Sequence, residues 1–161
     1  MKGQLTIKRF NGLEIWELEK GSFSVTPHQR GVIVNFWARS SGKLLSAPLE
    51  DTRVDGTPVL ELQTLLDKSC VNDFIGLDID IKLKDQPDDR DLLFANFYYY
   101  SHDTPFFNQL SVKEVRGELY HIVSISSLDD VNYYDGSKPE NQIIIDCWIK
   151  KSTERNGYWV L

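Results

Sequence analysis

The sequence predicts a mainly β protein: an antiparallel β-sandwich or barrel of about ten strands with one short helix at about 58–68. Three observations carry that expectation. Short runs of alternating apolar residues recur along the chain, punctuated by turn dipeptides such as Asn11-Gly12, Lys20-Gly21 and Arg116-Gly117. Only one segment has helical spacing, so the alternating helices of a parallel α/β sheet are missing. With 161 residues, 41% hydrophobic and 26% charged, the chain is long enough to bury a core as a single domain, 1–161.

Taken in order, residues 5–10 and 13–18 read as a hairpin about Asn11-Gly12, a dipeptide suited to a type I′ turn. A two-residue loop there sets Arg9 opposite Glu14, Ile7 opposite Trp16 and Leu5 opposite Leu18. Leu5, Ile7, Trp16 and Leu18 then share a face, with Arg9–Glu14 as a charge pair near its end. Lys20-Gly21 predicts a second turn before a strand over 22–26, and Pro27 to Gly31 a break before a strand over 32–39. Residues 40–43 (SSGK) turn the chain again.

In the predicted helix Thr57 can cap, Pro58 suits the first turn, and Val59, Leu62, Leu65 and Leu66 form a stripe. Residues 74–84 alternate cleanly, with Ile75, Leu77, Ile79, Ile81 and Leu83 facing inward. The stretch 92–107 holds seven of the nineteen aromatic residues. Both of its alternate faces are apolar, so it is expected to be a central strand covered on both sides. Residues 110–115 and 118–127 form a hairpin, 128–142 a long polar loop, and 143–150 and 158–161 the closing strands.

The net charge is −6, unevenly spread: residues 1–43 carry +4, 44–103 carry −8 and 104–161 carry −2. Nucleic-acid binding is not expected, because phosphate neutralisation needs a concentration of Lys and Arg. No apolar run approaches the roughly 20 residues of a membrane helix, and residues 1–10 lack an apolar signal core, so a cytoplasmic location is expected. Two cysteines without a secretion signal read as free thiols.

No catalytic residue, metal ligand or cofactor motif stands out. Ser101-His102-Asp103 cannot be a triad on one strand, where successive side chains point to opposite faces. Asp130-x-Asn132 followed by Asp135-Gly136 fails as a calcium loop, with Asp135 where glycine is required and Asn141 where Glu is required.

The leading expectation is therefore a non-enzymatic interaction domain, of the small acidic inhibitor or immunity type, that binds a basic protein through acidic loops with aromatic anchors. Its residues would be Asp88, Asp89, Asp91, Asp129, Asp130, Tyr133, Tyr134 and Asp135. The alternative is a small-molecule- or carbohydrate-binding barrel, hydrolytic in one version, with Tyr98, Tyr100, His102 and Phe106 lining a pocket. A homo-oligomer is the third reading.

Overall fold

The computed structural model describes residues 2–52, 56–67, 78–80, 93–133 and 135–152. It contains ten strands: β1 (Lys2–Arg9), β2 (Gly12–His28), β3 (Gly31–Ser46), β4 (Val59–Leu66), β5 (Asp78–Asp80), β6 (Phe94–Tyr98), β7 (His102–Asp103), β8 (Phe107–Arg116), β9 (Leu119–Leu128) and β10 (Asn141–Ser152). They form one sheet in the order β5-β8-β9-β10-β1-β2-β3-β4-β6-β7, antiparallel at every step.

The predicted hairpin faces are correct but the register is not. Leu5 pairs with Trp16 and Ile7 with Glu14, so the loop is Phe10-Asn11 and Gly12 pairs with Arg9. Gly12 has φ +140°, a conformation open to glycine. The slip is two residues, which preserves side-chain parity. Leu5, Ile7, Trp16 and Leu18 therefore still share the buried face.

Lys20-Gly21 does not turn. β2 runs through it, and register shifts between Ile15 and Lys20 bend the strand against β3. The bend lets one long strand serve two neighbours. Its first part pairs with β1, and Phe23 and Ser24 pair in parallel with Lys151 and Ser152 of β10. Nor does the 40–43 segment turn: Gly42, at φ +79°, is absorbed within β3.

The predicted helix is a strand. β4 pairs on both sides, Phe36 opposite Leu62 and Leu62 opposite Ala95. The sequence VLELQTLL carries both patterns, a helical stripe through Val59, Leu62 and Leu65 and a period-two file through Leu60, Leu62 and Thr64. Three turns of helix are marginal alone. Two partner strands satisfy the whole backbone and bury Leu60, Leu62 and Thr64. No helix forms among the described residues, and none is long and apolar enough to cross a membrane.

The aromatic stretch is also corrected. β6 is the second strand from one edge, not the centre. Ala95, Phe97 and Tyr99 are buried, whereas Tyr98 and Tyr100 are exposed. The 110–127 hairpin forms as expected, displaced by one residue at its turn, with Arg116 opposite Leu119. Of 74–84, β5 is described and keeps the predicted alternation, Ile79 buried and Asp80 exposed. The strand expected over 158–161 lies outside the described residues.

Nine of the ten strands of this one sheet contribute residues to a single core. Rings meet across the interior at 5.8 Å (Trp16–Tyr99) and 5.6 Å (Phe23–Tyr120). Cys147 lies in this core; burial, and after it the charge of Asp146, push its thiol up to about 12, which makes it unreactive.

Candidate functional site

The end of the sheet at the β1–β2 turn is built on ions. Arg9 and Glu14 lie on the inner face, where alternation from Ile7 and Trp16 places them, and both are buried. The Arg9 Nη1 donates to Glu14 Oε1 at 2.9 Å. Its Nε and Nη2 donate to Asp130 Oδ2 and Oδ1 at 3.2 and 3.0 Å, a fork that fixes the 128–133 loop against the hairpin. Tyr99 Oη donates to Glu14 Oε2 at 2.9 Å from across the core. The carbonyl of Asp51 accepts from Arg9 Nη1 and Asn132 Nδ2. Burial disfavours the guanidinium charge, but hydrogen bonds and the charges of Asp130 and Glu14 outweigh it and raise the Arg9 pKa. Two carboxylates face one guanidinium with their side chains fully enclosed.

The Asp130-x-Asn132 pattern thus has a local purpose. The Asn132 N–H donates to Asp130 Oδ1 at 3.0 Å, an Asx turn, and the remaining carboxylate capacity goes to Arg9. No group of three or more His, Cys, Asp or Glu side chains suited to a metal occurs among the described residues.

Above this base stand two aromatic rings. Phe10, exposed in the turn, meets Tyr133 edge to face at 6.0 Å. Tyr133 Oη donates to Asp51 Oδ2 at 3.1 Å, and that bond, then burial, raises its pKa. Lys138 Nζ sits 4.8 Å from the Phe10 ring and 5.1 Å from the Tyr133 ring. Around the rings, Glu50, Asp51, Asp129, Asp135 and Glu140 are exposed, against Lys8 and Lys138. Asp135 is held below the usual carboxylate range by Ser137, whose N–H donates to Oδ1 at 2.9 Å.

Of the acidic-loop residues predicted from sequence, Asp129 and Asp135 are exposed and Tyr133 is half-buried beside them. Asp130 is corrected: it is an interior ion, because the buried Arg9 guanidinium, already bonded to Glu14 through Nη1, offers it Nε and Nη2 as a two-point charged partner. Asp88, Asp89, Asp91 and Tyr134 lie outside the described residues. Sequence reading missed Phe10, Tyr99 and Asp51. The only available signal was the Arg9–Glu14 pair, which marked this end as charged.

A second polar group lies on the outer face of β4, β6 and β7. The His102 and Tyr98 rings stack at 4.6 Å and 10°, and His102 Nε2 lies 3.0 Å from Asn96 Oδ1. Glu61 sits opposite Asn96; burial raises its pKa, with Asn96 and His102 pulling the other way. Burial, and then the Glu61 charge, also raise Tyr98. Tyr98, Tyr100, His102 and Phe106 are all exposed. They do not line the interior, which is filled by Phe97, Leu60, Trp16 and their neighbours. Comparison with protein-family models, curated proteins and solved structures finds no match for this chain.

Proposed function

We infer that this chain is a non-enzymatic interaction domain that takes a basic protein at the β1–β2 end, as a small acidic inhibitor or immunity protein acting in the cytoplasm. One observation carries the reading. Two aromatic rings, Phe10 and Tyr133, stand at the surface on a rigid ionic base, among five exposed acidic groups and two lysines. Rings of this kind supply contact area at small entropic cost, and surrounding acids steer a cationic partner and set its register.

The experiment is affinity capture from native cell extract. Wild-type protein is expected to retain one or a few strongly basic proteins at low ionic strength and to release them by about 0.3 M salt. A Phe10→Ala, Asp129→Lys, Asp135→Lys variant, its fold verified by circular dichroism, is expected to retain none of them. Equal capture by both proteins, or capture of nothing basic, rejects the reading.

A further inference from the structure

Several surface charges on this sheet are matched by a neighbour: Lys43 by Glu17, Arg116 by Glu114, Lys150 by Glu118 and His121 by Asp146. Lys20 and Arg39 depart from that pattern. The β2–β3 register sets them directly opposite each other, and partners in register project on one face at about 5 Å. Arg39 alternates with buried Ala38 and Ser40, so the face is the outer one. Like charges placed this way repel. Among the described residues neither side chain has an ion pair or a hydrogen bond.

The acids nearby in the sheet do not fill the gap. Glu17 pairs with Lys43, and Glu61, opposite Trp37 on the same face, accepts from Asn96. Glu19 is exposed in the register shift between Leu18 and Lys20 and offsets at most one of the two cations. Arg39 is also held in place. Its Nε is enclosed, although the residue as a whole is only half-buried, and Nη1 and Nη2 reach solvent. An arginine packed along its stem presents its terminal donors with little rotamer freedom left to lose.

We propose that Lys20 and Arg39 bind a phosphate group on the outer face of β2 and β3. Nη1 and Nη2 each donate to a phosphate oxygen, and Lys20 Nζ donates to a third. A carboxylate has two oxygens, which the guanidinium fork occupies by itself. A doubly charged tetrahedral group has an oxygen left for the lysine and removes the repulsion between the two cations. The site goes beyond the basic-partner reading and does not depend on it, since it lies roughly 25 Å along β2 from Gly12.

The test follows the Arg39 Nε–Hε resonance of ¹⁵N-labelled protein, identified by its absence in Arg39→Lys, at neutral pH and constant ionic strength. The probes are inorganic phosphate, acetate and chloride. Phosphate is expected to shift the resonance saturably, acetate to bind about tenfold more weakly, and chloride to give no saturable shift. No saturable response to phosphate, or an equal response to either of the other ions, overturns the proposal. Lys20→Gln keeps the reporter and is expected to bind phosphate about tenfold more weakly; unchanged affinity overturns the two-cation site. Without phosphate, Lys20→Glu is expected to melt at the wild-type temperature or above it, because a repulsion becomes a cross-strand ion pair. Added phosphate is expected to raise the melting temperature of wild type only. A lower melting temperature for Lys20→Glu means that Lys20 already has a partner in the fold and overturns the proposal, as does an equal phosphate effect on both proteins.

Discussion

Two polar clusters with nearly the same ingredients sit on opposite faces of this sheet, and their environments give them different roles. Inside, Arg9, Glu14, Asp130 and Tyr99 form a closed network in which each charge is hydrogen-bonded and enclosed. Outside, exposed His102 and Tyr98 flank half-buried Glu61 and Asn96 on a face that water reaches. An enclosed ion pair is costly to form and costlier to break, because deleting one partner strands the other in a poor dielectric. An exposed group is replaceable by solvent. The interior cluster therefore holds architecture together, joining the hairpin, the 47–52 segment and the 128–133 loop.

The contrast is broken most directly at Arg9. Arg9→Met leaves Glu14 and Asp130 buried without a cation and is expected to cost about 3–5 kcal/mol in urea unfolding. A triple variant adding Glu14→Gln and Asp130→Asn should recover part of that loss. If Arg9→Met alone is neutral, the interior cluster is not closed. Next comes Tyr99→Phe, which removes the hydroxyl that donates to Glu14 Oε2 from across the core. It is expected to cost about 1–3 kcal/mol, and an unchanged denaturation midpoint would show that water reaches Glu14.

The outer cluster should give smaller effects with a pH signature. Burial raises the Glu61 pKa in the folded state, so the unfolded chain releases this proton first and wild-type stability falls as pH climbs through the carboxylate range. Glu61→Gln removes that component. Its stability relative to wild type is therefore expected to be higher at pH 7 than at pH 4, by thermal melts at both; a gap of the opposite sign would place the carboxylate in a charge-stabilising site. The smallest effect is expected for His102→Ala, within about 0.5 kcal/mol, because stacking on Tyr98 at the surface gives up little water-excluded contact.

Much of the fold was legible in the chain. Period-two alternation assigned Leu5, Ile7, Trp16 and Leu18 to the core, and Ile79 and Asp80 to opposite faces. It also brought Arg9 and Glu14 together, although their direct cross-strand pairing was displaced by two residues. Parity survives such a slip, so faces were right where partners were wrong. The 59–66 segment failed for a related reason: eight residues satisfy both periods, and only the presence of β3 and β6 on either side selects the strand.

The candidate site was less legible. Asp129, Tyr133 and Asp135 were identified as a charged aromatic loop, but nothing local distinguishes an exposed Asp129 from a buried Asp130. That distinction depends on Arg9, 121 residues away. The sequence by itself determined the class of fold, the inward files of apolar side chains and the acidic character, because these follow from residue type and alternation. The tertiary structure alone decided that β2 bends instead of turning, that Asp130 is an internal counter-ion, and that the aromatic strand lies near an edge. Those features are pairings between distant residues, and the free energy of a pairing resides in neither residue by itself.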